Sequence, residues 1–182
     1  MRKVIEYVLV SADGVTEDPV AMGVGNYQDD AYLRDGLGLL GACDALLFGR
    51  HVYEDFAKLY GGDRTHKPMW ADRLREIPKY IFSSTLKKAE WGNPTILRGD
   101  VTAEVTRLKQ QDGGNLLVLG HGLLGETLLR KQLVDVIDLA IYPFLVGSGK
   151  QFFFRSGQDA KLRLAAVKAF SKIVKLTYEV EK

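Results

Sequence analysis

Residues that build covalent or metal-bonded scaffolds are scarce in this sequence. One cysteine, Cys43, and three histidines in 182 residues leave no intramolecular disulfide and no thiolate cluster for zinc. The three histidines, His51, His66 and His121, are too scattered for a recognisable metal site. Stability must therefore come from a packed core, and a reducing compartment is expected. Net charge is nearly absent as well: 25 basic residues against 23 acidic ones leave +2, which gives no global field for nucleic acid. No uncharged run approaches the length of a membrane helix, and Glu6 and Asp13 interrupt the start MRKVIEYVLVSADG too early for a secretory signal. What remains is an ordinary globular composition, 46% hydrophobic and 26% charged. The expectation is one cytoplasmic domain over residues 1–182, with no nucleic-acid or membrane partner.

Short apolar runs bounded by Gly, Asp, Asn or Pro predict strands at Val4–Val10, Ala45–Phe48, Lys79–Phe82, Leu116–Leu119, Val136–Tyr142, Leu162–Phe170 and Ile173–Val180. Helical spacing lies between the first five, the alternation of a largely parallel sheet with crossover helices. Val52, Phe56 and Tyr60 recur every fourth residue after Gly49-Arg50. Asp100 can cap a helix carrying Val101, Val105 and Leu108, and Leu124, Leu128 and Leu129 mark another after Gly120. Leu33, Leu37 and Leu40 suggest a further one, weakened by its glycines. The last two strands flank Ser171-Lys172 and should form an antiparallel hairpin. Residues 61–68 read as a surface loop.

The strongest local pattern is LLVLGHGLLGETLL, where Gly120, Gly122 and Gly125 spell G-x-G-x-x-G between a strand and a helix. Glycines let a backbone approach a pyrophosphate, and the first turn of a helix offers free N–H groups. The motif sits too late in the chain for a Rossmann domain, so a plain packing turn is the competing reading. Two further strand ends favour a ligand: Phe48-Gly49-Arg50-His51-Val52, and Ser83-Ser84-Thr85 with its hydroxyls. A guanidinium among hydroxyls suits a phosphate monoester such as the 2′-phosphate of NADPH. Gly147-Ser148-Gly149-Lys150 imitates a P-loop, but Phe144 and Gln151 occupy positions that need Gly and Ser or Thr.

In order and spacing, LLFGRHVYEDFA, KYIFSSTL, LLVLGHGLLGETLL and LAIYPFLVGSGKQFF resemble the dihydrofolate reductase superfamily. The branch they resemble is the one containing the C-terminal reductase domain of the riboflavin-biosynthesis deaminase-reductase. The resemblance covers nearly the whole chain. It implies a three-layer α/β fold with a mixed, mostly parallel sheet and a C-terminal antiparallel hairpin, and it implies an NADPH site. By the same resemblance, Gly49, Arg50, His51, Val52, Ser83 and Ser84 would hold the adenosine phosphates. Gly120, His121, Gly122, Leu123 and Leu124 would hold the pyrophosphate and approach the nicotinamide.

The substrate side is less legible. Where folate-reducing members place a carboxylate on the helix after the first strand, this chain has Leu33, and Leu123 and Gly125 replace the basic and aromatic residues those members carry after the glycine turn. Asp30, at i, i+3, i+7 spacing with Leu33 and Leu37, is the candidate catalytic acid. The competing reading is a charge favoured in the first turn of a helix. Asp13 reads as a turn former. The expected activity is NADPH-dependent reduction of a small heterocyclic or sugar-like substrate, resembling 5-amino-6-(5-phosphoribosylamino)uracil reduction. The alternatives are true dihydrofolate reduction and a non-catalytic nucleotide-binding protein. A homodimer is expected on base rates, with Phe152-Phe153-Phe154 as candidate surface.

Overall fold

The computed structural model describes residues 1–62, 70–147, 153 and 160–182. In chain order the elements are β1 (Val4–Ser11), α1 (Asp30–Gly41), β2 (Cys43–Gly49), α2 (Arg50–Tyr60), α3 (Ala71–Glu76), β3 (Pro78–Phe82), β4 (Asn93–Leu97), α4 (Val101–Gln110), β5 (Asn115–Leu119), α5 (Leu123–Arg130), β6 (Val136–Tyr142), β7 (Leu162–Ala169) and β8 (Val174–Val180). Among the described residues the strands form one sheet in the order β4-β3-β2-β5-β1-β6-β8-β7. The first six run parallel, and β8 and β7 close one side as an antiparallel hairpin.

Helices cover both faces, which gives three layers. On one face Val105 and Leu108 of α4 and Leu128 of α5 pack on Val4, Val8, Val10, Leu47, Leu116 and Val118. On the other, Leu40 of α1, Tyr53 of α2 and Leu74 of α3 pack on Ile5, Leu46, Phe48 and Leu117. Because β2 and β5 are buried on both sides they read as unbroken apolar runs rather than alternating ones. Each fully buried leucine among 46, 47, 116 and 117 is worth roughly 1.5 to 3 kcal/mol.

Two elements lay outside the sequence reading. Strand β4 contains Pro94, which cannot donate to a ladder and is tolerated because β4 is the sheet's outer strand, paired only to β3. Helix α3 has six residues, too few for periodicity to register. Of the 61–68 loop, residues 63–68 lie outside the described residues, as do Ser148, Gly149, Lys150, Gln151, Phe152 and Phe154. Phe153 is buried with its ring 4.8 Å from that of His121, so its side chain is not available to a second copy.

Candidate functional site

Strands β3, β2 and β5 are neighbours and parallel, so the turns that follow them open side by side along one edge of the sheet. Gly49 stands opposite Phe82, and Leu47 opposite Val118. The turns at Gly49-Arg50, Ser83-Ser84 and Gly120–Gly122, which are scattered over more than 70 residues of sequence, are thereby brought together. A Cβ at Gly49 would lie 3.9 Å from that of Leu124, so the first turn of α5 sits beside the start of α2.

The helices that leave this edge begin in two ways. Asp29 caps α1 by accepting from the Tyr32 amide, and Asp100 caps α4 by accepting from that of Ala103, both at 2.8 Å. By contrast α2 starts at Gly49 and α5 at Gly122, neither with a side-chain cap. Among the described residues, their first-turn amides, at Arg50, His51 and Val52 and at Leu123, Leu124 and Gly125, have no side-chain cap like those that Asp29 and Asp100 give α1 and α4. Gly120 adopts φ +81°, which a side chain would strain, and among the described residues nothing lies within 4 Å of a Cβ built there or at Gly122. The positive ends of two adjacent helix dipoles thus meet at this edge, an arrangement that favours an anion.

Arg50 lies at the rim, its Nε donating to Glu54 at 2.9 Å and its Nη1 to Thr85 Oγ1 at 3.0 Å. Ser83 Oγ accepts from the amides of Thr85 and Leu86 at 3.2 and 2.9 Å, which forms the turn, while Ser84 and His51 are exposed. A second guanidinium, Arg98, donates to the carbonyls of Ser83, Ser84 and Leu86 at 3.4, 3.5 and 3.0 Å. Its place just after β4 made it invisible in the sequence. Val52 and Leu124 are half-buried against the core, so they offer main chain rather than side chain. Leu123 is 81% exposed, an apolar side chain held out at the rim. His121 turns inward instead, where its Nδ1 meets Glu6 Oε1 at 2.8 Å.

The expected place of Asp30 on the apolar stripe of α1 is corrected by the structure. Its side chain is 82% exposed and faces Arg34 at 4.0 Å. The buried stripe of α1 runs through Tyr32, Gly36, which leaves room for Trp70 at 3.6 Å, and Leu40. Asp30, two residues before Tyr32, points away from that stripe. Asp29 is fully committed to the fold: hydrogen bonds from Ser171 and from the Tyr32 amide hold its pKa down at about 2. Asp13 is a turn residue as expected, with the Ser11 hydroxyl and the amides of Gly147 and Val146 lowering it to about 2. Between α1 and the ends of β1 and β6 lies a hydroxyl cluster that the sequence did not reveal. Gln28 donates to Tyr142 at 2.9 Å, Tyr142 to Tyr32 at 3.0 Å, and Tyr32 meets Tyr7. Burial raises the pKa of all three tyrosines, so the cluster is neutral.

Among the described residues no group of three or more His, Cys, Asp or Glu side chains could hold a metal ion, and no helix is long and apolar enough to cross a membrane.

The architecture is that of the dihydrofolate reductase-like α/β domains, with its open edge at the carboxyl ends of β3, β2 and β5. More narrowly, the chain belongs to the RibD C-terminal domain family, which matches it over residues 2–176. It is similar to the uncharacterized protein YyaP of Bacillus subtilis, 25% identical, with 97% of this chain and 94% of that one covered. Among solved structures, a putative riboflavin biosynthesis protein from Shewanella sp. PV-4 superposes with a TM-score of 0.77 at 18% identity, covering 99% of both chains. A Thermotoga maritima diaminohydroxyphosphoribosylaminopyrimidine deaminase/5-amino-6-(5-phosphoribosylamino)uracil reductase superposes with 0.68 at 14% identity, covering 98% of this chain and 56% of that one.

Proposed function

We propose that this protein is an NADPH-dependent reductase of a small heterocyclic or sugar-like substrate, akin to the uracil derivative in the Thermotoga protein's name. The observation that carries the reading is the pair of adjacent, uncapped helix N-termini at Gly49 and Gly122. The residues at the edge fit a dinucleotide: amides of α5 and the open backbone at Gly120 and Gly122 would take the pyrophosphate. Arg50 and the Ser83-Ser84 turn would take the adenosine phosphate, with Arg98 bracing that turn from below. When bound, the coenzyme supplies hydride to the substrate.

This chain's part is to bind, orient and exclude water. The neutral tyrosine cluster beside β1 and β6, next to the glycine turn in the sheet order, is bonded within itself and braces that side of the edge. The exposure of Asp30 favours a second reading, in which the fold binds the dinucleotide without reducing anything. Steady-state oxidation of NADPH with 5-amino-6-(5-phosphoribosylamino)uracil, dihydrofolate and a panel of related heterocycles decides between the two. Turnover of any of them supports the reductase, whereas tight NADPH binding with no turnover supports the second reading.

A further inference from the structure

On the α4/α5 face of the sheet the side chains of β1 run Val4, Glu6, Val8 and Val10, an acid in a row of valines. Glu6 is 0% exposed and His121 7%. Their 2.8 Å hydrogen bond is the one polar contact each side chain makes among the described residues, and Glu6 Oε2 and His121 Nε2 are buried without a partner. Burying a carboxylate and an imidazole with half their bonding capacity unmet opposes folding, and an apolar residue at position 6 would complete the row without that cost. The core does not need this pair.

The glycine turn is what rests on it. A Cβ at Gly125, in the first turn of α5, would fall 2.0 Å from Glu6 Oε1 and 3.1 Å from His121 Nδ1, so the helix start is seated directly on the two side chains. One residue along β1, the carbonyl of Tyr7 accepts from the Gly120 amide at 2.8 Å. Consecutive residues of β1 therefore hold the turn twice, by the His121 side chain and by the Gly120 main chain. Strand β5 separates β1 from β2, which keeps Glu6 away from the Arg50 turn.

We propose that Glu6 is a positioning residue: through His121 it fixes the aim of the Gly120–Gly122 turn and of the α5 amides, and so sets the affinity for the pyrophosphate–nicotinamide half of the dinucleotide. The inference rests on the edge being an NADPH site.

The test titrates the full chain and its variants with NADPH and with adenosine 2′,5′-bisphosphate, which carries only the half that Arg50 and Ser83-Ser84 would hold. Glu6→Leu is expected to weaken NADPH about tenfold or more while leaving the bisphosphate within about twofold. Glu6→Gln restores NADPH affinity to within about threefold, because an amide oxygen still accepts from Nδ1–H. Gly125→Ala reproduces the selective loss by displacing the carboxylate, and it carries the test should Glu6→Leu not fold. Equal loss of both ligands, loss of neither, or a Gln variant as weak as the Leu one would overturn the role of Glu6. Unmodified protein that binds the bisphosphate and NADPH not at all would overturn the NADPH reading instead.

Discussion

The two halves of the sheet's carboxyl edge handle their polar groups in opposite ways. Over β1, β6 and β8 the polar groups named next are answered from within the fold. Asp29 caps α1 and takes the Ser171 amide, Asp13 takes Val146 and Gly147, the tyrosine hydroxyls satisfy one another, and buried Lys175 is paired with Asp35 and Asp138. Over β2 and β5 the helices start on glycine and the backbone is left open. Internal closure makes a structural edge, and on the function proposed above withheld closure makes a binding edge, because free amides and positive dipole ends retain their full value only for a ligand that arrives from solvent.

The most forceful way to break that contrast is to make α5 start as α1 and α4 do. Gly122 has an extended φ of −160° and space around its Cβ position, so Gly122→Asp should fold and gain roughly a few tenths of a kcal/mol from capping. Its carboxylate would meet the pyrophosphate, so NADPH affinity should fall by roughly 100-fold, read by titration calorimetry alongside thermal unfolding. A smaller effect is expected at the rim. Arg50→Ala should weaken NADPH by about 1.5 to 3 kcal/mol and leave NADH nearly unchanged, and equal losses would deny the guanidinium its role at the 2′-phosphate. In the opposite direction, Asp100→Ala should cost about 1 kcal/mol of stability by chemical denaturation without touching coenzyme affinity.

How much of this was legible in the sequence depended on how local the signal is. Val136–Tyr142 was read with both ends correct because Asp135 and Pro143 bracket an apolar run, and Asp100 announced its helix because a cap acts within three residues. The three turns could be named, since each is a strand end followed by glycine or serine. Asp30 falls off the buried stripe because i, i+3, i+7 spacing fits more than one stripe, and Trp70, which packs at Gly36, selects the stripe from elsewhere in the chain. Glu6 and His121 are 115 residues apart, Arg50 and Thr85 are 35 apart, and nothing in either member of a pair marks the other. Contacts made only by tertiary closure leave no periodicity to read.

The weakest expected effect belongs to the closed half. Asp13 and Asp29 are held at about 2 against an ordinary 3.8, so the folded state binds fewer protons than the unfolded one in between. The stability they contribute is present above about pH 4 and is lost as the pH falls through about 2. Unfolding midpoints should drop across that window, and Asp29→Asn should make the drop shallower. A slope unchanged by the substitution would place the acid sensitivity elsewhere.

The most direct measurement is a titration of isotopically labelled protein with NADPH, followed through its backbone amide resonances. The largest shifts should fall on His51, Val52, Leu123, Leu124 and Gly125, with the capped starts at Tyr32 and Ala103 nearly still. Shifts centred on the capped helices, or none at saturating coenzyme, would contradict the assignment of the open edge.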